Sequence, residues 1–145
     1  FNNDKSISKI YGKLYNWFAI ANPKDVCPDG WKTPTNEDWD VLVNYVGGYT
    51  IAGEKLKEEG TNHWFTPNEN FATDQYGFSA LGGGLRYASN DPFHGFRRGA
   101  NFWTLSEDRT DATKAYSYGI AHVNKLINNG VINKNTGLSI RCIKK

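Results

Sequence analysis

CPDGWKTPTNEDWDVL, residues 27–42, holds one of the two cysteines in the chain immediately ahead of a helix start. Thr35 stands at the N-cap with Pro34 before it, and Glu37 and Asp38 fall in the first turn, where carboxylates meet free amides and the positive end of the helix dipole. Trp39, Leu42, Val43 and Val46 follow at i, i+3, i+4 and i+7, one apolar stripe, and Gly47-Gly48 ends it. A second, shorter helix is expected over Ile51 to Glu58, with Ile51, Ala52, Lys55 and Leu56 on one face. Trp39 opens the stripe and Trp31 follows the Gly30 turn into the helix, so both are expected in the core.

On either side of these helices the period changes to two. Residues 13–20 (KLYNWFAI) and 138–143 (LSIRCI) alternate as half-buried strands do, with Leu138, Ile140 and Cys142 sharing one face of the second. FWTLS at 102–106 and AYSYGIAHV at 115–123 read the same way. From about Gly60 to Ala100 the chain is rich in Asn, Asp, Pro and Gly, a length of loop that in a compact domain is functional or packed on itself. No linker or repeat divides the chain, so 1–145 is expected to form a single α+β domain of two helices on short, mostly antiparallel strands.

Composition narrows the function classes. The 17 basic and 15 acidic residues leave a net charge of +2, too balanced to imply nucleic acid or a charged membrane surface. Five tryptophans, 15 glycines and 14% aromatics suit a loop-rich domain. No run approaches the about 18 apolar residues of a membrane span. The chain starts at Phe1 without an initiator Met, which suggests that upstream sequence, a leader among the alternatives, has been removed.

The ordered series YGKLYNWFAI, CPDGWKTPTNEDW, AGEKLKEEGTNHW, GFSALGGGLR, FWTLSED and GLSIRCIK closely resembles the Fibrobacter succinogenes major paralogous domain family, over nearly all 145 residues. Two departures stand out: an upstream segment resembling W-M-x-x-N-L is lacking, and the family's S-S-T-E after the tryptophan is here Thr104, Leu105, Ser106 and Glu107. The resemblance implies a C-type-lectin-like fold, and GWKTPTNEDW is also similar to a segment of formylglycine-generating enzymes that share it. It further implies that Cys27, at the first helix, pairs with Cys142 on the last strand, as cysteines so placed do in that fold. On the residues alone, two buried free thiols or a reactive thiol remain alternatives, although neither cysteine has a histidine close in sequence. A disulfide would belong to an oxidising compartment. The resemblance to secreted proteins and lipoproteins of Bacteroidetes implies an extracellular or cell-surface location, with a lipid anchor on the removed upstream segment compatible with it.

The candidate chemistry is sparse. His63, His94 and His122 lack metal-ligand spacing, and each reads as a packing or surface histidine. Gly82-Gly83-Gly84 lacks the following GK(S/T) of a phosphate loop and is expected to mark a turn or a close backbone approach. Glu107, Asp108 and Asp111 could supply oxygens to calcium but are expected to form a solvated turn. No cofactor, metal or catalytic residue is assigned. The residues expected to bind ligand are Arg86, Tyr87, Phe93, His94, Arg97, Arg98, Asn101 and Trp103, in the loop-rich 86–103 segment, because these types recur at recognition hot spots. The structural alternative is that Tyr87, Phe96 and Trp103 pack the loop onto the core. The function expected is a non-enzymatic binding or adhesion module for a glycan or a surface protein, with no nucleic-acid partner. An enzyme related to the formylglycine-generating group and a purely structural surface component are the alternatives.

Overall fold

Thr35 accepts from the Asp38 amide while the Asp38 carboxylate accepts from the Thr35 amide, a capping box that starts α3 (Asn36–Tyr45) where the sequence places it. Burial alone would raise the Asp38 pKa, but the Thr35 amide and the Lys32 ammonium, 3.0 Å away, outweigh it and hold the carboxyl below its usual range. The computed structural model describes residues 4–22, 26–65, 71–89 and 93–145. Before α3 come α1 (Lys5–Tyr11), α2 (Trp17–Ile20) and β1 (Trp31–Lys32). After it come α4 (Ala52–Leu56), β2 (Leu85–Arg86), β3 (Phe93–His94), β4 (Gly99–Glu107), β5 (Lys114–Ala121), β6 (Ile127–Asn133) and β7 (Ile143–Lys144).

The architecture is α+β and antiparallel, in three small sheets: β4-β5-β6, β2-β3 and β1-β7. The three-stranded sheet is covered on both sides. One face carries Ala100, Phe102, Tyr118, Ile120 and Ile127 against Trp39 and Val43 of α3, Leu56 of α4 and Trp64. The other carries Trp103 and Ala115 against Trp17, Ile20 and Leu138. Trp39 stacks on Tyr118 with centroids 4.9 Å apart, which fixes α3 on the sheet. Trp17, Trp64 and Trp103 each donate their indole N–H to a backbone carbonyl, of Thr104, Ala80 and Tyr15 respectively.

The two ends of the fold meet. Tyr15 pairs with Leu138, Trp31 pairs with Lys144, and Cys27 is bonded to Cys142. The pairing implied by the family resemblance is therefore present, and it joins the segment before α3 to the last strand.

Four expectations need correction. Residues 13–20 are not one strand: only Tyr15 pairs, and Asn16 then caps α2 by accepting from the Ala19 amide, so that Trp17 and Ile20, three apart, turn to the same core. The 51–58 helix is shorter, because Lys57 takes extended backbone and pairs with Ala80. In the 138–143 segment, Leu138 and Ser139 make isolated bridges and regular pairing begins only at Ile143. Trp31 is not a core residue; it is 43% exposed at the edge of the β1-β7 pair. Strand β6 has no strict alternation and α1 is only two turns long with no buried residue, and neither was expected from the sequence pattern.

The glycine run at 82–84 is a close approach, as expected. A Cβ on Gly82 would lie 2.8 Å from the Arg97 Cα, and one on Gly84 would lie 2.4 Å from the His94 carbonyl oxygen. Just ahead of the run, Ala80 pairs with Lys57, which is buried and donates its ammonium to the carbonyls of Ala121 (3.1 Å) and Asn124 (2.7 Å). Desolvation pushes its pKa down to about 8, against an opposing pull from Glu54.

Two measurements follow from these contacts. The disulfide spans 115 residues, and in the chain-entropy account a loop of that length restricts the unfolded chain by about 4 to 5 kcal/mol. Cys27→Ala with Cys142→Ala should lower unfolding free energy in denaturant by roughly that amount or less; an unchanged midpoint would show that the bond adds nothing to closure. For Lys57 the folded pKa lies below the unfolded one, so between pH 8 and 10.5 the native state has lost a proton that the unfolded chain retains. Stability should therefore rise across that window by about 3 kcal/mol relative to Lys57→Met, since each tenfold difference in proton affinity between the two states is worth about 1.4 kcal/mol. Parallel pH profiles of the two proteins would contradict the burial argument.

Candidate functional site

The segment expected to bind ligand is divided by the fold into three environments. Arg86, Tyr87, Phe93 and His94 come together on the β2-β3 hairpin, where Leu85 pairs with His94 and Arg86 with Phe93. The Arg86 guanidinium lies 5.7 Å from the Phe93 ring centre, and the Tyr87 and His94 rings are 5.3 Å apart. Short strands suffice here because the hairpin is fastened to the body at its base. Gly137 and Arg86 exchange backbone hydrogen bonds of 2.7 and 2.9 Å, and Gly84 donates to Gly99.

Two clefts open beside this hairpin. One, of about 290 Å³, lies between it and α1 and is lined by Asp4, Lys5, Lys13, Arg86 and Phe93 among others. Its three cations face one carboxylate, and that carboxylate is occupied as the α1 cap: the Ser6 hydroxyl and amide hold Asp4 below its usual pKa. The other cleft, of about 570 Å³, is lined by Tyr87, Ala88, Ser89, Asn133, Asn135 and Thr136. It sets an exposed phenol ring beside amides and hydroxyls brought from the end of β6. Lys5, Lys13, Asn133 and Asn135 were not among the expected residues, because only the tertiary fold carries them to the hairpin.

Arg97 and Arg98 do other work. Arg97 has a left-handed backbone (φ 60°) and donates its guanidinium to the carbonyls of Thr61 (2.8 Å) and Trp64 (3.3 Å). Its amide donates to Gly82 and its carbonyl accepts from Phe65, both at 2.6 Å, so this residue ties the 61–65 loop to the glycine run. Arg98 lies over the Phe65 ring at 4.5 Å and accepts from the His122 amide. Glu107, a carboxylate that could anchor these arginines, pairs instead with Lys134, and Asp91, another, lies outside the described residues.

Asn101 and Trp103 face the second side of the sheet but part company. Trp103 is fully buried with its indole bonded to Tyr15, so it cannot contact a ligand; the expectation that it binds is corrected to a core role. Asn101 lines a shallow groove of about 330 Å³ with Gly119, Asn128 and Gly130.

Several other titratable groups are engaged structurally. Tyr49 and Tyr118 both donate to Asp40 Oδ1, and Asn36 donates to Oδ2, which knits α3 to the sheet. Desolvation and the Asp40 partner raise both phenol pKa values, so the phenols stay protonated donors rather than bases. In the turn between β4 and β5, Asp108 accepts from Thr110, Asp111 accepts from Thr113, and the Asp111 pKa is held at about 2, first by the Thr113 hydroxyl and then by Lys114. Asp108 and Asp111 form the solvated turn expected, whereas Glu107 remains in β4 and pairs with Lys134. Among the described residues no group of three His, Cys, Asp or Glu side chains converges as a metal site, and no helix is long and apolar enough to cross a membrane.

This chain belongs to the Fibrobacter succinogenes major domain family, whose model matches residues 1–144. No curated protein and no solved structure matches it.

The roles of the two arginines predict a divergence. Arg97→Ala removes two carbonyl contacts and leaves a left-handed alanine, and should cost about 1 to 3 kcal/mol by thermal or denaturant unfolding. Arg98→Ala, which loses one ring contact, should cost about 0.5 to 1 kcal/mol. Equal effects would mean that Arg97 does not tie the loop.

Proposed function

We propose that this domain is an exported, non-catalytic binding module of C-type-lectin-like fold that recognises a glycan at the cell surface through the β2-β3 hairpin. The observation that carries the reading is Tyr87. Its ring is 41% exposed on a hairpin fastened at its base, beside His94 and at the cleft of Ser89, Asn133, Asn135 and Thr136. A flat ring takes the apolar face of a sugar, while amides and hydroxyls reach its hydroxyl groups in fixed directions. In the neighbouring cleft Arg86, Lys5 and Lys13 supply donors suited to an acidic substituent on the same chain of sugars.

Several features support export and the absence of catalysis. A disulfide joining distant parts of the chain persists in oxidising surroundings, which fits a secreted or lipid-anchored surface protein. Both cysteines are consumed by that bond, so neither offers the thiolate that chemistry of the formylglycine-generating type would need. The meeting of the chain's early segment with its last strand and the packing of α3 and α4 on one face of the sheet fit the lectin-like arrangement that the family resemblance implies.

A glycan array probed with the intact domain tests this reading. Tyr87→Ala should weaken the strongest glycan signal at least about tenfold while leaving stability within about 0.5 kcal/mol, the usual range for surface changes. Undiminished glycan binding by the variant would move the site off the hairpin. Binding only to surface proteins would replace the glycan with a protein ligand.

A further inference from the structure

Beside the disulfide, and sharing no residue with the two hairpin clefts, an open apolar groove of about 330 Å³ is lined by Trp31, Pro34, Trp39, Leu42, Phe78 and Ile143, with Asp38, Arg141, Cys142 and Lys144 at its margins. We propose that this groove is a second binding site, for a small aromatic carboxylate. Size and wall chemistry indicate the aromatic part. An apolar cavity of about 150 Å³ already holds a benzene, so this space suits a pair of fused rings. The walls offer ring faces and edges: Trp31 is 43% exposed, and Trp39 and Phe78 meet edge to face at 5.9 Å.

Charge complementarity indicates the carboxylate. Arg141 lies 4.5 Å from the Phe78 ring centre and donates one hydrogen bond, to the Phe78 carbonyl, leaving other guanidinium donors over the groove margin. Neither Arg141 nor Lys144 has a carboxylate within ion-pair distance among the described residues. The acid at the margin, Asp38, is neutralised by Lys32 and by the Thr35 amide, so the two remaining cations set the sign. An apolar slot with a cationic margin recognises a flat anion in preference to a flat cation of equal size.

The test compares 2-naphthoate with 2-naphthylmethylamine on the intact, oxidised domain, followed by the indole N–H resonances of Trp31 and Trp39. Naphthoate should bind about tenfold more tightly than the amine, the ratio expected of two exposed charges, and should move the Trp31 signal. Trp31→Ala should weaken both probes, whereas Lys144→Gln, which leaves the Arg141–Phe78 contact in place, should narrow the difference between them. Arg141→Gln with Lys144→Gln should abolish it. Equal affinities for the two probes, a preference that survives loss of both cations, or shifts with none at Trp31 would each overturn the proposal.

Discussion

Phe102 and Trp103 are adjacent in β4 and belong to opposite faces of the sheet, and every larger feature of the fold follows from burying both. Phe102 sits under Trp39 and Phe78, at 5.4 and 5.9 Å. Trp103 sits with Trp17, Ile20 and Leu138 on the other side. Leaving either ring wet would forfeit about 1.5 to 3 kcal/mol of burial, so each face of the sheet needs a cover over it. α3 and α4 cover one face. The other is covered by α2 and the last segment of the chain, which is why the two ends of the fold must meet there. The Cys27–Cys142 bond holds shut a closure that burial already demands.

Regular secondary structure accounts for only part of the chain, and the loops are ordered instead by cations donating to backbone carbonyls. Lys57 does this for Ala121 and Asn124, Lys134 for Ala112, and Arg97 for Thr61 and Trp64. Lys134 also pairs with Glu107 and lies 4.3 Å from the Trp17 ring centre. A buried carbonyl without a donor is costly, and a long side chain reaches several carbonyls that no strand could pair. The same device explains why two adjacent arginines differ in role: Arg97 is engaged by carbonyls, and Arg98 is left over a ring.

The hairpin surfaces lie where this framework leaves polar and aromatic groups outside both cores, whereas the groove by the disulfide borders one core through Trp39, Leu42 and Phe78. The hairpin contributes to two clefts, one cationic and one rich in amides. The groove by the disulfide is the reverse, apolar within and cationic at its margin. It shares no lining residue with the hairpin clefts, so each surface is open to substitution without touching the other.

The amino-acid sequence alone determined the elements whose signals are local. The α3 cap and stripe are legible because capping chemistry and a 3.6-residue period act within ten residues, and the alternation of β4 and β5 acts over a similar span. The order of its motifs also identified the family. Tertiary structure decided what depends on distant partners. Residues 13–20 alternate like a strand, yet Asn16 caps a helix because Trp17 and Ile20 must reach one core. Trp31 looks like a core residue and is exposed because its strand pairs at an edge. Strand β6, INNGVIN, has no strict alternation of its own and is a strand because β5 pairs with it. Within the 86–103 segment the sequence supplied the right kinds of side chain but could not sort them. Backbone pairing placed Arg86, Tyr87, Phe93 and His94 together, strand alternation buried Trp103, and a left-handed turn at Arg97 directed its guanidinium to carbonyls more than thirty residues away in sequence.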